Sequence, residues 1–106
     1  MTPFQLSEEL LQQVKRDIAA QDNAALQNLL KEYHYADLAE IFDNLLIEEA
    51  VYLFKRIDTE KTADMLTELD EDVREDILEA LSSVEIAAEI NELDTDDAAD
   101  IVGELS

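Results

Sequence analysis

A beat of twelve residues runs through this chain from Asp22 onward and constrains its fold more than any other feature. The units read DNAALQNLLKEY, HYADLAEIFDNL, LIEEAVYLFKRI, DTEKTADMLTEL, DEDVREDILEAL, SSVEIAAEINEL and DTDDAADIVGEL. Position nine of the units is Leu30, Phe42, Phe54, Leu66, Leu78, Ile90 and Val102, and position twelve is Tyr33, Leu45, Ile57, Leu69, Leu81, Leu93 and Leu105. Position eight is Leu29, Ile41, Leu53, Met65, Ile77, Glu89 and Ile101, so only Glu89 interrupts that column. Apolar residues at eight, nine and twelve, often joined by five, make the i, i+3, i+4, i+7 stripe of an amphipathic helix. Each unit therefore predicts one short helix. The first position is Asp or Ser in five of the seven units, the residue types that accept hydrogen bonds from the free N–H groups of a first turn. Ser82 and Glu85 have the spacing of a capping box.

Helices of about ten residues are marginal alone in water, so each must stack on its neighbours. Links of two or three residues make successive helices near-antiparallel or sharply angled, and a pair becomes a repeat of 24 residues. The expected architecture is all-α: a superhelix of short antiparallel helices, an α-solenoid of the armadillo or HEAT type, with about 12 residues per helix. Residues 1–21 are expected to form an N-terminal capping helix, from about Ser7 to Gln21, with Leu10, Leu11, Val14 and Ile18 on one face. Residues 22–106 form the helical repeat, and the whole of 1–106 is one structural domain. The one proline, Pro3, and the one glycine, Gly103, leave the interior without the punctuation of a β-sandwich or a dinucleotide-binding unit.

Charge is placed unevenly. Residues 1–57 hold ten acids and five bases, net −5, whereas residues 58–106 hold eighteen acids and two bases, Lys61 and Arg74, net −16. Such a surface repels nucleic-acid phosphates and anionic lipid headgroups, and favours cations or a basic protein face. No 18-residue apolar run and no secretory pattern occurs, so the segment reads as soluble, without direct membrane insertion.

The motifs that would carry catalysis are missing. There is no cysteine, no P-loop, no nucleophile elbow and no GxGxxG, and the short links offer no frame for a sugar cleft between carboxylates. The chain reads as no enzyme. His34 is the one histidine, and it opens a unit between Tyr33 and Tyr35, a structural position. An EF-hand fails, because Asp94, Asp96 and Ala98 are followed by Ala99 where the loop needs glycine. The terminal cluster is the better candidate for a cation. Asp96 and Asp100, four apart, share a helix face and repel each other unless a cation is near; Asp97 lies beside them, and Asp94 suits the N-cap. Hard carboxylate oxygens select Mg²⁺ or Ca²⁺, and Mg²⁺ takes only one or two carboxylates and keeps its water.

Two of the units carry a further signal. HYADLAEIFDNL, from His34 to Leu45, has the form H-x-x-D-[IL]-A-[ED]-[IL]-[LF]-x-x-L, and Leu93 to Ile101 has the form L-D-x-D-D-A-A-D-[IL]. With DTEKTADMLTEL between them, these units resemble the N-terminal cytoplasmic domain of MgtE-type magnesium transporters. That resemblance implies a right-handed helical superhelix on the cytoplasmic side of the cell membrane, followed in the parent transporter by CBS domains, a connecting helix and a pore. It implies a regulatory role: Mg²⁺ held between acidic faces of this domain and the CBS domains, of the same or the dimer-related chain, favours the closed pore of a homodimeric parent. The family's metal-facing acids fall on Asp64, Asp96 and Asp100, with Asp97 a candidate by adjacency. The chain is then expected to be a piece of a longer transporter that binds Mg²⁺ weakly alone, since the other ligands lie elsewhere. The alternative is a stand-alone helical-repeat interaction module resembling flagellar motor-switch domains.

Overall fold

The computed structural model describes residues 5–105 and, among these, is entirely helical, with eight helices. They are α1 (Glu8–Ala19), α2 (Asn23–Leu30), α3 (Tyr35–Asp43), α4 (Ile47–Phe54), α5 (Thr59–Leu66), α6 (Glu71–Ala80), α7 (Ser83–Asn91) and α8 (Thr95–Leu105). From α2 to α8 each helix begins twelve residues after the one before, so the sequence beat is also the structural beat. The links are slightly longer than expected, two to four residues, because several units lose their last residues to a turn. Residues 1–4 of the expected capping segment 1–21, Pro3 among them, and Ser106 at the end of 22–106 lie outside the described residues.

Capping sets where the helices start. The side chains of Ser7, Asp22 and Ser82 accept from the N–H groups of Leu10, Ala25 and Glu85 at 3.1, 3.1 and 3.2 Å. The capping box at Ser82 is complete, with Glu85 Oε1 accepting from the Ser82 N–H at 2.9 Å. Leu46 has no side-chain acceptor, yet its own N–H is satisfied by Glu49 Oε1 at 2.9 Å. Asp58 and Asp70 hold N-cap positions without a side-chain capping bond. At the other end of α1, Gln21 takes φ 56°, the left-handed conformation that costs a non-glycine residue roughly 1 kcal/mol. The bonds from Gln21 N–H to the Ile18 carbonyl and from Asp22 N–H to the Asp17 carbonyl, both 3.0 Å, form the C-terminal motif that offsets this strain.

Helices two apart are the principal neighbours: α3 packs on α5, α5 on α7, and α4 on α6. The opening helix lies against α2 and α4, and α8 lies against α7. Units of the same parity are thus in contact along α3, α5 and α7, and between α4 and α6. The stripe residues form one continuous core from Val14 on α1 to Ile101 on α8, with Leu38, Ile41, Phe42, Leu53, Met65, Leu66 and Ile77 buried at its centre. Phe42 and Phe54, at the same position of successive units, meet edge to face with ring centroids 6.3 Å apart. Stripe residues on the last helix behave differently. Val102 is 50% exposed and Leu105 42% exposed, because α8 packs principally on α7 alone.

Candidate functional site

The residues expected to face a metal lie on two helices. Asp64 is on α5 and is exposed; Asp96 and Asp100 are on α8 and exposed, while Asp97 is half-buried. Both helices pack on α7. Asp96 and Asp97 fall in the first turn of α8, where the unsatisfied N–H groups and the helix dipole favour negative charge without any ion. Asp94 stands just before that turn, and its carbonyl accepts from the Ala98 N–H at 2.8 Å. Among the described residues no three His, Asp or Glu side chains come together in a way that would hold a metal ion. The structure therefore does not gather Asp64, Asp96, Asp97 and Asp100 into one cluster. None of the four has a basic partner within ion-pair distance among the described residues. They are free to meet a cation or a second surface.

Asp64 lines a shallow depression of about 220 Å³ with His34, Tyr35, Asp58, Glu60 and Lys61. His34 is committed locally: its Nδ1 accepts from the Ala36 N–H at 3.4 Å as the N-cap of α3, and its ring stacks obliquely on Tyr35 at 4.1 Å. Lys61 Nζ donates to the carbonyls of Lys31 and Tyr33 at 3.1 and 3.2 Å, across the end of α2.

The other base of the acidic half, Arg74, has the same kind of task. Its Nη1 donates to the Leu66 and Leu69 carbonyls at 3.1 and 3.2 Å, covering the end of α5. Its Nε and Nη2 grip both carboxylate oxygens of Glu104 on α8, the former at 2.7 Å. The Arg74 guanidinium holds the Glu104 carboxyl below the usual carboxylate range, chiefly through that hydrogen bond. Neither base of residues 58–106 serves to neutralise the acidic face at large; each closes a helix end.

Sequence reasoning left Glu89 as a break in an apolar column, and the structure shows what it does. Glu89 is 6% exposed, and both its carboxylate oxygens lie near the Thr62 hydroxyl, at 2.8 and 3.0 Å. Thr62 is itself fully buried and occupies position five of its unit, so two polar interruptions of the stripe meet each other between α5 and α7. Burial pushes the Glu89 carboxyl up to about 7, with the Thr62 bond acting against it and the charge of Glu92 adding to it. When Glu89 is protonated it donates to Thr62 Oγ1, whose own proton can turn to the Thr59 carbonyl at 3.2 Å. The protonated pair then has every donor placed. Acid crowding also acts on the surface of α6. Glu75 is raised by desolvation and by its neighbours Glu71, Glu104, Asp72 and Glu79.

Short helices at a twelve-residue interval, with many exposed acids, define an all-α helical-repeat protein. Residues 33–106 match the family described as the MgtE intracellular N domain, and the chain belongs to that family. Membership connects it with magnesium transport and with a regulatory role, and covers the units that hold Asp64, Asp96 and Asp100. No curated protein matches the chain. No helix among the described residues is long and apolar enough to cross a membrane.

Proposed function

We propose that this domain senses Mg²⁺ for a magnesium transporter, binding the ion jointly with CBS domains of the same or the dimer-related chain through Asp64, Asp96 and Asp100, with Asp97 beside them. The observation that carries this reading is the family match over residues 33–106, which contains all four acids. The exposure of Asp64, Asp96 and Asp100, and the lack of any base paired with the four among the described residues, support it. Two acidic faces repel each other in the absence of a divalent cation, so ion binding and docking are linked: the ion favours the docked state by its extra affinity for it. Because ligands are divided between two surfaces, the isolated domain binds Mg²⁺ weakly, and the docked assembly binds it more tightly and favours the closed pore. The stack of short helices is read as a right-handed superhelix that meets those partners through its acidic face.

The test replaces Asp64, Asp96 and Asp100 together by Asn in the complete transporter and follows Mg²⁺ flux as internal Mg²⁺ is raised. Weaker inhibition by Mg²⁺ is expected. Inhibition that matches the wild type would remove these residues from the sensor.

A further inference from the structure

A second surface differs from the acidic one in both chemistry and charge. Between α2, α4 and α5 lies a groove of about 270 Å³ above the buried core residues Leu26, Leu30, Leu38 and Leu53, with the half-buried Ile57 in its wall. Lys31, Arg56 and Lys61 line it, against a single acid, Asp58. The placement of these bases is the informative point. The chain has 28 acids and only seven bases. Lys15, Lys55 and Arg74 each pair with a carboxylate, whereas among the described residues Lys31, Arg56 and Lys61, and Arg16 away from the groove, have none within 4.0 Å. Arg56 instead lies over the Tyr52 ring at 3.9 Å, and Lys61 is held by backbone carbonyls. Three cations without a carboxylate partner among the described residues thus line one groove beside Ile57, in a molecule of net charge −21. The groove lies below the roughly 300–1,000 Å³ of pockets that engulf a drug-sized ligand, and suits one or two inserted side chains.

We infer that this groove docks an acidic peptide segment of a partner protein, which lays one apolar side chain along Ile57 and sets its carboxylates against Lys31, Arg56 and Lys61. Contact with Ile57 and with the aliphatic stems of the bases adds affinity, and the three cations supply the selection for acidic sequence. The same molecule would then carry two docking faces of opposite charge preference, one needing a divalent cation and one not.

The probe is the peptide acetyl-Glu-Asp-Phe-Leu-Glu-Glu-amide, titrated without Mg²⁺ into the isotopically labelled domain while backbone amide shifts are followed by NMR. Saturable shifts confined to residues 26–31 and 53–61 are expected. The dissociation constant should rise at least about tenfold when Lys31 becomes Glu, and similarly when the peptide's Phe becomes Ala, and it should weaken with added salt. Lys31 is exposed and its side chain has no ion pair among the described residues, so Lys31→Glu leaves the fold intact; Lys31→Ala serves as a second variant. Shifts centred elsewhere, no saturable shift up to about 1 mM peptide, or equal affinity of Lys31→Glu and wild type would overturn the inference. So would concentration-dependent self-association that protects these amides without peptide, which would assign the groove to a second copy of the chain. Because no Mg²⁺ is present, failure here leaves the sensor reading untouched.

Discussion

Glu89→Gln should stabilise this domain, and do so only at neutral and alkaline pH. The carboxyl is buried against Thr62 and its folded pKa is raised from 4.5 to about 7. A group raised in the folded state binds more protons folded than unfolded between those two values, so stability falls as pH climbs from about 4.5 to about 7 and is flat above. With 1.36 kcal/mol per pKa unit, ionised Glu89 costs roughly 3 kcal/mol above pH 7. Glutamine has the shape of the protonated acid and can donate to Thr62 Oγ1 in its place, so it removes the charge while keeping the hydrogen bond. Urea unfolding followed by circular dichroism, on wild type and variant at pH 5 and pH 8, gives the double difference. Little change is expected at pH 5 and a gain of roughly 2–3 kcal/mol at pH 8. The comparison cancels the general repulsion among the remaining carboxylates, which both proteins share. Parallel pH profiles for the two proteins from pH 5 to 8 would refute the argument, because Glu89 would then titrate as an exposed acid.

Arg74→Met should destabilise the domain by about 2–4 kcal/mol in urea unfolding at pH 7, since it leaves the Leu66 and Leu69 carbonyls and the Glu104 carboxylate without their donor. The sign of its pH dependence is opposite to that of Glu89. Glu104 is held below the usual carboxylate range, so the stability from this pair is present above the unfolded pKa and is lost as pH falls through the folded one. Arg74→Met should therefore differ least from wild type under acid conditions. Gly103→Ala should raise the stability by about 0.5–1 kcal/mol in the same assay, because Gly103 lies within α8 and an added Cβ meets nothing within 4 Å.

Much of the architecture was legible because its signal is repeated. Seven copies of one stripe average out local irregularities, so helix number, helix starts and most core positions follow from counting in twelves. Individual caps were less legible. Asp at the first unit position caps through its side chain at Asp22 but not at Asp58 or Asp70, and Leu46 is served by Glu49 from within the helix. The left-handed turn after α1 falls on Gln21, while the chain's one glycine sits inside a helix, so glycine was no guide to it. Of the candidate metal-facing acids, the sequence placed Asp96 and Asp100 on a common face of one helix. Their relation to Asp64 depends on how α5 and α8 are each set against α7.

What the sequence determines by itself is whatever a periodic pattern of side chains can specify: short helices at a twelve-residue interval, the apolar stripe each must bury, an acidic outer surface, and membership of the family. Which polar residues share a buried contact is decided only by the tertiary packing, because that depends on pairs far apart in the chain. Thr62 and Glu89 are 27 residues apart and look, separately, like flaws in the stripe. Stacking α5 on α7 makes them partners and turns an ordinary carboxyl into one that titrates near neutrality. Lys31, Arg56 and Lys61 are likewise scattered in the chain, and only the packing of α2, α4 and α5 brings them around one groove.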